Sequence, residues 1–185
     1  MVRITSAVNA RSDKNIPFWK NIFRRRWKGS NIIIDILEKV PMFSTLTAGE
    51  RKKIKLISFE RSYKADEYLF KEGNPGSVMF IIKKGMISIE RNTIKGELMH
   101  LASLTDGDFF GELALLDDSP RSASAQCIKD TDVVVLFRQD LFNLIDRNPV
   151  LGTKILLEMS KLIGERLKET NRVLIERLEI LEQNK

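Results

Sequence analysis

The apolar residues change their spacing twice along the chain, dividing it into helical, stranded and again helical stretches. In residues 30–55 the apolar positions Ile32, Ile33, Ile36, Leu37 and Val40 recur at three- and four-residue steps, the period of one helix face. Ser30 or Asn31 can cap that helix at its start. Pro41 ends it, because the residue before a proline is pushed out of the helical region. Thr47 predicts a second helix, with Glu50 three residues on as the other half of a capping box. From 56 to 137 the period falls to two: Val78, Phe80 and Ile82 alternate, as do Ile87 and Ile89, and residues 101–104 and 133–137 supply further strand. Turn signals recur at Gly73-Asn74-Pro75-Gly76, Lys84-Gly85, Asn92 to Gly96, and Asp106-Gly107-Asp108. Short strands punctuated this often predict a β-barrel or a jelly roll. Beyond 138 the helical period returns. Leu141, Leu144 and Ile145 give one short helix, Asn148-Pro149 breaks it, and a last helix is predicted from Pro149 nearly to Lys185. Only Gly152 and Gly164 weaken it.

Composition narrows the chemistry. The chain has one cysteine, Cys127, and one histidine, His100, in 185 residues. No internal disulfide, cysteine-held cluster or histidine-rich metal centre can be built from these, and a reducing, cytoplasmic location fits. A Ser/His/Asp triad could form only around His100. No apolar run approaches the ~18 residues of a membrane span, and no secretory signal is visible.

The net charge of +6 sits almost wholly in the first thirty residues. They hold eight basic groups against one acid, Asp13, which leaves the remaining 155 residues at −1. A domain-wide basic surface for nucleic acid is therefore not expected. Within this arm Trp19, Phe23 and Trp27 recur every four residues, with Ile16 and Ile22 nearby and Lys20, Arg24, Arg25 and Lys28 between them. That is the pattern of a short basic amphipathic helix. Such a helix can pack its aromatics on the main domain, dock on a membrane surface or a partner, or, with least support, bind nucleic acid.

The candidate chemistry lies in residues 109–125, Phe109-Phe110-Gly111-Glu112-Leu113-Ala114-Leu115-Leu116-Asp117-Asp118-Ser119-Pro120-Arg121-Ser122-Ala123-Ser124-Ala125. Gly111 allows a close backbone approach. Residues 112–116 can form one or two helical turns whose first N–H groups lack partners and suit an anion. Asp118, Ser119 and Pro120 turn the chain back, and Arg121 brings a planar fork matched to phosphate. A carboxylate beside a phosphate site repels it unless it serves another group. A ribose hydroxyl is the natural partner for Glu112.

Phe-Gly-Glu-Leu-Ala-Leu followed by Pro-Arg-Ser-Ala resembles the phosphate-binding cassette of cyclic-nucleotide-binding domains, as found in Crp/Fnr regulators and in cyclic-nucleotide-dependent kinases and channels. The similarity covers roughly residues 32–170. Val40-Pro41-Met42-Phe43-Ser44, the two glycine turns at 73–76 and 84–85, and Gly107 all stand in the family's order. The resemblance implies an α+β fold: an eight-stranded jelly-roll β-roll (a double-stranded β-helix) with N-terminal helices and a long C-terminal helix. By position, Glu112 matches the acid that takes the ribose 2′-OH. Gly111 and Leu113 match backbone donors, Arg121 the phosphate-pairing arginine, and Ser122 a further phosphate contact. Ser122 allows cAMP without excluding cGMP. Thr170 and Asn171 match the region that contacts the base.

Leu167, Leu174 and Leu181 lie seven apart, which puts Asn171 and Leu178 at the alternate seam positions of a two-stranded coil. Arg177 could then reach Glu182 of a partner helix. The alternative is that these leucines pack on the chain's own β-roll. Only 14 residues follow Asn171, which leaves no room for the helix-turn-helix domain of the family's transcription factors.

The expected organisation is a basic arm (1–29), a cyclic-nucleotide-binding β-roll (30–148) and a long helix with a possible dimer seam (149–185). The expected activity is binding, not catalysis, with cAMP ahead of cGMP as ligand and neither cofactor nor metal. Expected partners are a second copy through the C-terminal helix, an unidentified effector protein and, through residues 1–29, a membrane surface. Sequence-specific DNA binding is not expected. The competing reading is a ligand-free scaffold on a degenerate domain of the same fold. A cupin fails on histidine count, and haem or redox sensing fails on cysteine and histidine.

Overall fold

The computed structural model describes residues 32–183. The basic arm, the caps Ser30 and Asn31, and the membrane- and partner-docking readings attached to the arm lie outside the described residues. Helix α1 (Ile32–Lys39) stops before a 3-10 turn, Pro41–Phe43, and α2 (Ala48–Leu56) follows. Six strands come next: β1 (Ser58–Tyr63), β2 (Tyr68–Phe70), β3 (Val78–Asn92), β4 (Leu98–Thr105), β5 (Phe109–Phe110) and β6 (Ser124–Phe137). A second 3-10 turn, Glu112–Leu115, separates β5 from β6, and α3 (Arg138–Arg147) and α4 (Pro149–Gln183) close the chain. All strand pairings are antiparallel, in the order β1-β6-β3-β4, with β2 added to β6 and β5 to β3. This is the expected β-roll between N-terminal helices and a long C-terminal helix.

Among the described residues the strands number six rather than eight, in part because β3 runs through Lys84-Gly85, where the sequence suggests a turn. Lys84-Gly85 is not a turn but lies inside β3. The β3–β6 register shifts three times between Ile82 and Ile87, so the strands bend by bulging and keep their ladder. Gly85 makes the bend possible. Its φ is 138°, and a Cβ there would lie 2.2 Å from Oγ1 of the buried Thr131. That hydroxyl accepts from the Met86 N–H at 3.2 Å and donates to the Lys129 carbonyl at 2.7 Å.

Residues 78–82 and 133–136 explain the layering. Met79 and Ile81 on β3, with Val134 and Leu136 on β6, face a helical layer of Ile36, Leu37, Phe43, Ile54, Leu151 and Ile155. Phe80 and Ile82, with Val133 and Val135, face the roll interior beside Ile87, Leu104, Phe110, Ala125 and Cys127. Both strands are thus buried on two faces, so Met79 and Ile81 are as buried as Phe80 and Ile82, and the one-sided alternation expected of Val78, Phe80 and Ile82 gives way to a continuous apolar run.

Thr47 and Glu50 form the expected capping box on α2: the Glu50 N–H donates to Thr47 Oγ1, and the Thr47 N–H to the Glu50 carboxylate at 2.7 Å. The same carboxylate receives the Lys154 ammonium of α4 at 2.8 and 3.0 Å. One acid therefore caps α2 and ties it to the root of the long helix. Leu151, Ile155 and Met159 bury that root. Farther along, Leu167, Leu174 and Leu178 are each more than half exposed, so these leucines are not buried against the β-roll.

The Lys154 ammonium and the Thr47 backbone hold the Glu50 carboxyl at about 2, down from its ordinary 4.5. A group whose folded value is depressed stabilises the fold above its unfolded value, and that contribution fades as pH falls through the folded value. At pH 6, Glu50→Gln should melt about 4–8 °C lower, equivalent to about 2 kcal/mol after screening at the partly exposed Lys154. Calorimetric melts from pH 6 to 2 should show the gap closing between about 4.5 and 2. A constant gap would assign the loss to the cap alone.

Candidate functional site

The 109–125 segment folds as a self-contained turn against β3. Phe110 pairs with Phe80 and Phe109 with Ile81, which ends the strand at a fixed register. Gly111 then takes φ 71°, left-handed, and caps the 3-10 turn Glu112–Leu115. A side chain at 111 would be strained, and its Cβ would lie 2.6 Å from Arg121 Nη1. The return of the chain is zipped to the β2–β3 turn: the Arg121 N–H donates to the Asn74 carbonyl at 2.8 Å, and the Gly73 N–H to the Arg121 carbonyl at 2.9 Å. Between them, the Ser119 N–H and hydroxyl both donate to the Asp117 carboxylate. Arg138 at the start of α3 donates to the Asp117 carbonyl and pairs with Asp118.

Two ionisable side chains from this loop are buried. Arg121 is 7% exposed and Glu112 is 4% exposed. The Arg121 guanidinium lies over the Phe70 ring, with Cζ 4.1 Å from the centroid. Nη2 donates to the Val78 carbonyl at 2.7 Å and Nη1, weakly, to the Gly111 carbonyl at 3.4 Å. Nε is buried without an acceptor. Burial pushes this guanidinium down from the ordinary arginine value, and the charge of Glu112 opposes the shift. A buried cation whose contacts are a ring and two carbonyls is suited to receive an anion. Glu112 Oε1 accepts from Nη1 of Arg166, halfway along α4. The Arg166 guanidinium also lies 5.6 Å from the Phe109 ring centroid.

The structure thus brings Gly111, Glu112, Leu113, Arg121 and Ser122 together in one loop, with Leu113 half exposed and Ser122 exposed. Thr170 and Asn171 lie one turn farther along α4 than the contact with the cassette. Both are exposed, and the Thr170 hydroxyl donates to the Arg166 carbonyl at 2.8 Å. Arg166 itself meets the cassette and escaped the sequence reading, although it stands four residues before Thr170 on the same face. Phe70 and the Val78 carbonyl were also missed. Neither carries a motif, and only the fold places them at Arg121. Among the described residues no group of three or more His, Cys, Asp or Glu could hold a metal ion, and no helix is long and apolar enough to cross a membrane.

Known proteins resemble this chain in sequence and in fold. A family profile described as the cyclic nucleotide-binding domain matches residues 60–148. The chain is 33% identical over 132 residues to a protein named cyclic AMP receptor protein from Thermus thermophilus, covering 71% of this chain and 59% of that one. A crystal structure of a cyclic nucleotide-binding domain from Methylobacillus flagellatus superposes with a TM-score of 0.69 at 27% identity, over 78% of this chain and 82% of the other. The regulatory domain of Toxoplasma gondii PKA, co-crystallised with cAMP, superposes at 0.58 and 29% identity over 62% and 43%. The chain spans less than two thirds of the curated relatives it matches. Fold, cassette and similarity agree, and residues 60–148 of the chain match the cyclic nucleotide-binding domain.

Proposed function

We propose that this chain is a cyclic-nucleotide receptor, with cAMP ahead of cGMP, that acts by resetting its long C-terminal helix rather than by catalysis. The observation that carries this reading is the pair of buried, opposite charges on one short loop, with the Nε donor of Arg121 lacking an acceptor. A cyclic phosphate brings a single negative charge with acceptor oxygens that Arg121 and the first N–H groups of the 112–115 turn can satisfy. The 2′-hydroxyl of its ribose would donate to Glu112. Nothing in the cassette separates the two nucleotides. The order of preference rests on the relatives, among them a cyclic AMP receptor protein and a kinase regulatory domain co-crystallised with cAMP.

The ion pair between Glu112 and Arg166 supplies the coupling. A hydroxyl arriving at Glu112 changes the electrostatics and the position of the carboxylate that anchors α4, so ligand binding and helix position share one group. A ligand shifts such an equilibrium only by its differential affinity for the two states, and Glu112 is where that difference arises. Thr170 and Asn171, a turn beyond Arg166, would meet the base once the helix closes on it.

The exposed leucines support a second copy as partner. Counting back by sevens from Asn171 gives Gly164, beside which a Cβ would meet open space, and Leu157, which is 57% exposed. With Leu167, Leu174 and Leu178, Leu157 continues one exposed face of the helix with one asparagine to set its register, although the alternate position counted back from Leu167 is the polar Ser160. Output then passes through this seam to an effector protein, and the location is cytoplasmic.

Calorimetric titration of nucleotide-stripped protein with cAMP, then cGMP, should give saturable binding with cAMP the tighter. Arg121→Ala should weaken it by about 30-fold or more, the loss of a desolvated charge pair of ~2–5 kcal/mol. Failure of well-folded protein to bind either nucleotide would instead make the domain a scaffold. Arg166→Ala should keep most of the affinity yet abolish the cAMP-induced change in hydrogen-exchange protection of residues 160–175. An unchanged response would remove Glu112–Arg166 as the coupling. Sedimentation should show a dimer that Leu167→Asp with Leu174→Asp dissociates; a monomeric parent protein would exclude the seam.

A further inference from the structure

The phosphate-facing arginine is held by an aromatic platform that no motif announces. Phe70 on β2, Phe80 on β3 and Phe110 on β5 form a three-ring cluster, with centroids 5.8 Å (Phe70–Phe80), 5.9 Å (Phe70–Phe110) and 5.3 Å (Phe80–Phe110) apart. Phe80 and Phe110 are stacked within 15° and joined through the backbone ladder, so the platform is as rigid as the sheet. Phe70 alone places its ring directly against the guanidinium, at 4.1 Å, while Phe80 lies at 5.9 Å. A ring face attracts a cation through its quadrupole and is most effective where water is excluded. A planar cation stacked on such a face has its plane set by the ring. The carbonyls of Val78 and Gly111 then fix its rotation within that plane. What stays uncommitted is Nε.

We propose that Phe70 is a positioning residue for Arg121, orienting its guanidinium before any anion arrives, so that the ordering cost of a long, flexible side chain falls on folding and not on binding. This rests on the receptor reading for its consequence, tighter nucleotide binding, but not for its geometry. An aliphatic residue of similar volume at 70 would fill the same space and offer no face for the cation. Phenylalanine and tyrosine are equivalent in this role; leucine and methionine are not.

The test compares the parent protein with Phe70→Leu, Phe70→Met and Phe70→Tyr, by cAMP titration, by melting, and by the NMR signal of the Arg121 Nε–H, identified by its loss in Arg121→Lys. Phe70→Leu and Phe70→Met should bind cAMP about tenfold more weakly, the scale of a desolvated cation–π contact, while Phe70→Tyr stays within about twofold. The Nε–H signal should be sharp and ring-current-shifted in the parent and Phe70→Tyr, and broadened toward the ordinary position in the two aliphatic variants. The methionine variant guards against a packing defect in the leucine one. Equal or tighter cAMP binding by the aliphatic variants would overturn the proposal, as would an Nε–H signal indifferent to residue 70. If no protein in the set takes up cAMP, the receptor reading falls, and the Nε–H signal alone decides the role of Phe70.

Discussion

A guanidinium taken out of water must recover its solvation from the protein, and the molecule is arranged so that Arg121 recovers only part of it. Burying a charge without a partner costs several kcal/mol, and a carboxylate beside it would be the simplest compensation. Here the carboxylate whose charge acts on Arg121, Glu112, is engaged by Arg166 instead. Arg121 is left with a ring, two backbone carbonyls and one donor without an acceptor. Much of the surrounding structure follows from that choice. Gly111 must lack a side chain because the guanidinium occupies its space. The β2–β3 turn must grip the Arg121 backbone from both sides. Phe70 must end β2 where its ring can cover the cation.

The sheet supplies the rigidity that this requires. β3 and β6 are buried on both faces over residues 79–82 and 133–136, so moving either strand would disrupt the helical layer and the roll interior at once. Close packing makes such shifts costly. Arg121 leads into β6, Gly111 follows β5, and β5 is paired to β3, so both ends of the cassette rest on the least deformable part of the molecule. The loop between them is tethered at its tail by Arg138, which is exchangeable surface chemistry by comparison.

Much of this was legible in the sequence, and the reasons differ by element. The capping box at Thr47 and Glu50 was readable because its chemistry is local, with both partners within three residues. The cassette was readable because its glycine, acid and arginine keep a fixed spacing. The continuity of β3 through Lys84-Gly85 was not, since a lysine–glycine pair looks the same in a turn as in a bulged strand. Only the partner, Thr131 of β6, distinguishes them. Arg166 and Phe70 were missed for a similar reason. Each acts across more than fifty residues of sequence, and neither arginine on a charged helix nor phenylalanine in a strand is a signal by itself. The second duty of Glu50, its pair with Lys154, was equally invisible from a motif that explains the residue without it.

The long helix is held very differently from the sheet, and that difference decides where movement can occur. Its root is fixed by Leu151, Ile155 and Met159 and by the Glu50–Lys154 pair. Beyond Met159, Arg166 is the residue with a described ion pair to the β-roll. From Met159 to Gln183 the helix extends about 36 Å at 1.5 Å per residue. A pivot of about 5° at its root would therefore displace the far end by about 3 Å, comparable to the side-chain spacing that sets a coiled-coil register. A single ion pair partway along such a lever is a weak restraint in energy but a strong one in geometry, because it acts seven residues from the pivot and constrains everything after it. An acid that is buried in the cassette and bound to that lever joins the stiffest part of the molecule to the most easily displaced part.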